Sequence, residues 1–375
     1  MHKTIVAATA MLLAGSGVCL AQPPGITREM IERALPLEGA PLIFPLALLD
    51  EGHTGVSLFM VLSGYLFAKL LDGREITYRL FFWNRFIRLA PLLLFVFFLT
   101  GLQQTLEGDP LPPYLTELIE GFIYPTWPSG GWSITIEMHF YILLPFLLYF
   151  TRRWKPTPLV ALAFAVALRS AIFAYNGSIE HLAYMTIAGH IDQFLMGIAA
   201  FNYRDTFKKN HLLVAFIATA FCAFWWWLDQ FGGYYGRPNQ LGALWIIIPT
   251  VEAVCYSIIV AYYDNSFSAS DSKISWALAK IGTYSYSIYL LHIFFYAHMI
   301  FFLQDHVMDI SNFYVAVCWA VLGFSLMIPI GYLSYRFVEE PFLGLRRSYI
   351  KPAKVGDEQI FETVQEPSVR SKGNA

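Results

Sequence analysis

WSITIEMHFYILLPFLLYF, Trp132–Phe150, decides how the rest of the chain is read. Its 19 residues reach about 28 Å as a helix, close to the thickness of a bilayer's hydrocarbon core. Nearly all are apolar, yet Glu137 stands in the first turns and His139 just after it. A charged carboxylate at mid-bilayer costs roughly 2.5–3.5 kcal/mol on insertion scales, so such a group faces a cavity or a partner and not lipid. Helical spacing sets Ser133, Glu137 and Tyr141 on one face and turns His139 off it. Gly130 and Gly131 give the helix a flexible start, and Trp132 opens it at the depth where interfacial Trp is favoured. This is read as the helix that carries chemistry, with the other spans arranged around it; a structural ion pair at Glu137 is the plainer alternative.

The 375 residues around it are 57% hydrophobic and 14% charged, where a soluble domain carries about 25% charge. Apolar runs of about 20 residues recur, so the expected fold is all-α, a polytopic membrane bundle of about nine to ten transmembrane helices. A net charge of −2 and the lack of a basic, aromatic-interleaved patch argue against nucleic acid. Cys19, Cys222, Cys255 and Cys318 lie in apolar runs without metal or redox spacing, so neither a disulfide framework nor a metal site is expected.

Residues 1–22 have a basic start, an apolar stretch and small residues at the end; a signal peptide is favoured over a short first span. Residues 23–41 read as an extracytoplasmic segment. Nine apolar segments follow, near 42–68, 90–106, 132–150, 157–175, 183–202, 211–228, 241–263, 282–303 and 313–337. Residues 23–345 thus read as one transmembrane domain, and 346–375 as a polar cytoplasmic tail whose last 20 residues suit disorder. Alternate connections together with the tail hold twenty Lys and Arg; the other connections hold only Arg28, Arg33 and Arg237. The positive-inside rule puts the first set in the cytoplasm, and the C-terminus with it.

With that topology, His53, Glu137, Arg169, His190 and Asp192 are expected to converge on an extracytoplasmic half-cavity. Arg85 and Arg88 lie on the cytoplasmic side, three apart on a short helix leading to Pro91, a plausible clamp for phosphate or plain positive-inside anchors. His190 and His292 read more simply as polar residues satisfied between helices. Arg169 can pair with Glu137 or Glu180, or snorkel. No Walker loop, zinc signature or G-x-S-x-G elbow occurs, so the residues alone leave a transferase working across the membrane and a transporter both open.

Six stretches in order are familiar as a set. GHTGVSLFMVLSGYLF (52–67), NRFIRLAP (84–91), GGWSITIEMHFYILLP (130–145), IDQFLMGIAAF (191–201), IGTYSYSIYLLHIFF (281–295) and YRFVEEPF (335–342) resemble successive motifs of the membrane acyltransferase-3 family, which O-acylates bacterial surface sugars. The resemblance implies ten helices and no bound cofactor. The donor substrate would be a cytoplasmic acyl-CoA, usually acetyl-CoA, and the acceptor a hydroxyl on an extracytoplasmic carbohydrate or glycolipid. It implies that Arg85 and Arg88 hold the CoA phosphates and that Glu137 belongs to the catalytic cavity with Trp132 at its rim. Asp192, Ser285, Tyr286, Tyr289 and His292 match motif positions without an assigned role. The family's first span carries a basic residue and, eleven positions on, a His expected to act as base; here Lys3 is followed at that spacing by Ala14. His53 is the candidate replacement, and its plainer reading is a polar residue at a helix start. A catalytically impaired relative acting in envelope assembly is therefore a competing expectation. A sugar or lipid transporter is another, though one built on internal repeats would show them and none is found.

Overall fold

The computed structural model describes residues 44–229, 241–268 and 270–351. The expected signal segment at 1–22, the stretch 23–41, the site of the missing basic–His pair and most of the tail lie outside these residues. The described chain is almost wholly helical. Its long helices are α1 (Thr54–Leu71), α2 (Tyr78–Glu107), a short α3 (Leu111–Glu120), α4 (Trp132–Arg153), α5 (Thr157–Asn176), α6 (Ile187–Asn202), α7 (His211–Asp229), α8 (Ile248–Ser266), α9 (Lys273–His306) and α10 (Phe313–Ser334). Each of the nine apolar segments overlaps one of these helices. Among the described residues, seven helices are long and apolar enough to cross a membrane. The two remaining segments hold α6 and α8, of 16 and 19 residues, which carry Asp192, Gln193 and Glu252 inward. The chain is an all-α polytopic membrane protein.

Two hydrophobic cores organise the bundle. One gathers α1, α6, α7 and α8; the other gathers α2, α9 and α10. Helix α4 feeds both, with Trp132, Ile136 and Phe140 in the first and Ile134 in the second. It is the seam between two helix groups, which is why its polar face is buried and not lipid-facing. Pro145 sits inside α4 and Pro91 inside α2 without ending either helix. The short helix expected before Pro91 is in fact the first half of a 30-residue helix. A proline loses one backbone bond, and packing against neighbouring helices tolerates that in a membrane.

Helices α1 and α6 pack backbone to backbone. A Cβ on Gly64 would lie 2.2 Å from the Phe194 carbonyl oxygen, and one on Gly197 would lie 2.2 Å from that of Val61. Small residues permit this approach where no hydrophobic effect drives helices together. Gly197→Ala should therefore push α1 and α6 apart and lower stability by about 1–3 kcal/mol, the usual overpacking cost. A thermal melt of the detergent-solubilised protein checks it; an unchanged midpoint would mean that the helices separate freely.

At the opposite end of α1 from His53, Lys69 and Tyr65 bind Asp264 of α8, at 2.6 Å and 2.8 Å. Arg152 at the end of α4 donates to the carbonyls of Leu71 and Arg74. Residues 345–351 then cross the start of α2. Strand β1 (Glu75–Ile76) pairs antiparallel with β2 (Ile350–Lys351). The Asn84 side chain donates to the Arg347 carbonyl (2.6 Å) and accepts from its N–H (2.9 Å), while Trp83 Nε1 donates to the Leu345 carbonyl (3.2 Å).

Candidate functional site

The polar interior divides into two groups along α1. Thr54 begins the helix and Phe67 lies thirteen residues on, about 20 Å away at the helical rise.

The first group surrounds His53, which is 3% exposed. Its Nδ1 stands 3.1 Å from the Glu51 carboxylate, and its ring lies edge-on to Tyr184 (5.5 Å) and Trp225 (5.4 Å). Glu252 of α8 acts on His53 electrostatically from across the site, as does Asp50. The Glu252 carboxylate accepts from Ser57 Oγ at 2.7 Å and from Gln193 Nε2 at 3.5 Å, and Tyr256 donates to Thr54 at 2.7 Å. Trp132 packs on Tyr184 and His190, at 5.1 and 5.9 Å between ring centroids. It is fully buried, so it is a wall of this site and not an interfacial anchor. The loop before it is fastened too. The Gly130 carbonyl accepts from Ser133 Oγ and from Tyr289 Oη, both at 3.0 Å, so the flexible start expected of the two glycines is tied down by α9.

Beside this group, Arg169 and Asp192 form a fully buried ion pair (2.6 Å) that also engages Thr250. The sequence offered Glu137 or Glu180 as the partner of Arg169. The structure chooses Asp192, because α5 and α6 lie side by side. The pair is satisfied internally and braces the group.

The second group lies along the other half of α1. Tyr141 donates to Glu137, one turn before it on α4. Arg85 lies over the rings of Phe67 (5.0 Å) and Phe81 (5.5 Å), and it donates to Tyr349 at 3.4 Å. The charges acting on Glu137 are those of Arg85 and Arg88. Glu137 therefore faces the arginines, and the expected single half-cavity is two groups with α4 running between them. Arg85 and Arg88 also diverge. Arg88 pairs with Glu339 (3.3 Å) and lies over the Tyr286 ring, while Glu339 accepts from Ser287. Residues Tyr335–Glu339 form a π-helical turn, which carries Glu339 into the interior. Tyr286 donates to the Leu89 carbonyl at 2.8 Å. His292 sits between the rings of Tyr289 and Tyr296, on the α9 side and apart from His53. Ser133 bonds Tyr289 at 2.8 Å. His139 is turned outward and meets the Phe122 carbonyl at 3.0 Å.

Sequence reasoning passed over Glu252, Ser57, Gln193, Trp225 and Asp229, and met Glu339 only within the closing YRFVEEPF motif. Glu252 carried the same signal as Glu137, a carboxylate within an apolar run. The others become meaningful only through their neighbours. Among the described residues, no set of three His, Cys, Asp or Glu side chains is arranged to hold a metal ion. Chemically, one group offers a buried imidazole among carboxylates, fit for proton transfer. The other offers guanidinium groups, fit for an anion.

The bundle thus sets an arginine motif on one helix and a buried glutamate on the next long one. The acyltransferase domain profile matches residues 43–336, and the chain belongs to that family, acyltransferase-3. It is 28% identical over 78% of its length to YrhL of Bacillus subtilis, covering 50% of that protein. It is 25% identical over 77% of its length to the peptidoglycan O-acetyltransferase OatA of Listeria monocytogenes, covering 51% of it. To the O-acetyltransferase OatA of Staphylococcus aureus it is 27% identical over 84% of its length, covering 57%. The chain thus spans about half the length of the curated relatives it matches. No solved structure matches it.

Proposed function

We propose that this chain is a membrane O-acyltransferase that moves an acyl group, acetyl by analogy with its relatives, from a cytoplasmic acyl-CoA to a hydroxyl of a cell-envelope carbohydrate, peptidoglycan among the candidates. The observation that carries the reading is the separation of the two polar groups along α1. A site for an anionic donor sits at one end of the bundle and a site for proton transfer at the other. The excess of Lys and Arg in alternate connections supports placing the arginine end in the cytoplasm and the His53 end outside the inner membrane.

In the reaction, a base takes the proton of the acceptor hydroxyl as its oxygen attacks the thioester carbonyl. The carbon–sulfur bond then breaks, and the thiolate leaves with the coenzyme and is protonated. His53 is the candidate base, since its buried imidazole has the Glu51 carboxylate 3.1 Å from Nδ1 to orient it. Arg85 and Arg88 bind the donor phosphates, displacing their present carboxylate and hydroxyl partners. Glu137, bonded to Tyr141 and facing Arg85, lies on the route between donor and acceptor.

Inverted membrane vesicles given labelled acetyl-CoA and assayed for acylated acceptor test the reading. Arg88→Lys keeps the charge but cannot form a forked phosphate contact. It should raise the apparent KM for donor about tenfold or more while insertion is normal. Sugar movement without acylation would identify a transporter, and neither activity would leave the impaired-relative reading.

A further inference from the structure

Buried polar groups in proteins almost always find a hydrogen-bond partner, because an unsatisfied one costs about 1–3 kcal/mol. Around His53 that rule fails several times over. Trp132 Nε1, Trp225 Nε1, His190 Nδ1, Glu252 Oε1 and both oxygens of Asp229 have no hydrogen-bond partner among the described residues. Each of these five side chains is less than a tenth exposed. They come from four helices, α4, α6, α7 and α8, yet they belong to one cluster. Trp132 and His190 share the Tyr184 ring, Trp225 stacks edge-on to His53, and Glu252 acts on His53 from across the site. Asp229, one turn beyond Trp225, lies beside the Glu51 carboxylate.

The mixture of groups selects the occupant. Indole N–H groups need an acceptor, which a cationic ligand lacks. Carboxylate oxygens need donors, which an anion lacks, and an acyl chain would satisfy neither. A sugar ring supplies hydroxyls that donate and accept, a ring oxygen that accepts, and C–H faces that lie on aromatic rings.

We propose that this cluster is the subsite for one pyranose ring, the residue whose hydroxyl is acylated, held with that hydroxyl toward His53. The inference rests on the acyltransferase reading for the identity of the bound sugar as acceptor. The binding itself can be measured without turnover.

Saturation-transfer NMR on the full chain in detergent micelles, with methyl N-acetyl-β-glucosaminide as probe and choline as cationic comparator, tests it. The glycoside should give a saturable signal at its ring protons. Trp225→Phe keeps most of the ring and deletes the N–H; Asp229→Asn keeps the shape and replaces a carboxyl oxygen by an amide donor. Each variant alone should weaken glycoside binding at least tenfold, and choline should not compete. Three results would overturn the proposal: no saturable glycoside signal, unchanged binding in both folded variants, or displacement by choline. Glycoside binding without acyl transfer from acetyl-CoA would sink the transferase reading and leave the subsite standing. Normal transfer with an unchanged acceptor KM in both variants would sink the subsite alone.

Discussion

Replacing Arg169 by leucine should remove most of the well-folded protein. The guanidinium is fully buried and bonds Asp192 through both carboxylate oxygens, at 2.9 and 2.6 Å. It also donates to Thr250 and to the carbonyls of Ile246 and Ala188, so it ties α5 to α6 and to the start of α8. Deleting one partner leaves Asp192 charged and buried, and such breaks cost about 3–5 kcal/mol. On the scale of about 2–4 °C per kcal/mol for chains of 150–250 residues, the melting midpoint should fall by roughly 6–20 °C. Thermal melts and size-exclusion profiles in detergent measure this. Arg169→Leu combined with Asp192→Leu removes both charges and should recover more than half of the loss. A single variant that melts with the native protein would show that Asp192 finds another partner or a proton at no cost.

The second large effect belongs to His53. If its imidazole takes the acceptor proton, His53→Ala should lower kcat at least about 10²-fold, the lower end of what a positioned base contributes. Donor KM should stay unchanged, since the arginines lie about 20 Å away along α1. Glu137→Gln, on the donor side of α4, should cost at least about tenfold for a different reason: it removes the charge that Arg85 faces. Acyl incorporation and inserted protein are measured side by side for both variants. An active protein indifferent to His53→Ala would exclude His53 as the base and redirect the search to residues before 44. A His53→Ala loss that tracks loss of inserted protein would make the residue a structural part of the aromatic cluster.

Hydropathy sufficed for the fold because the bilayer leaves a helix few alternatives. Backbone groups must be satisfied within the segment, so each apolar run of about 20 residues becomes a helix. That argument located all nine helical segments, including α6 and α8, whose internal charges weaken the apolar signal. It also singled out Glu137, since a carboxylate in such a run demands a reason. It erred at Pro91 and at Trp132. Local rules end a soluble helix at proline and float a tryptophan at the interface, but packing by α1, α6 and α9 overrides both preferences here.

What the sequence determined by itself was therefore the inventory: an all-α membrane bundle, its helical segments, and the polar residues too costly to face lipid. Which of those residues meet was decided only by the tertiary structure. Asp192 takes Arg169 because α5 lies along α6, and Glu137 faces Arg85 with Tyr141 holding it on that side. His53 gains Glu252, 199 positions away, because the small surfaces of Gly64 and Gly197 let α6 seat against α1, with α8 packed on both. Helical periodicity gives each side chain a direction about its own axis. The order and rotation in which the helices pack come from contacts spread over the whole bundle, and no single stretch of sequence contains them.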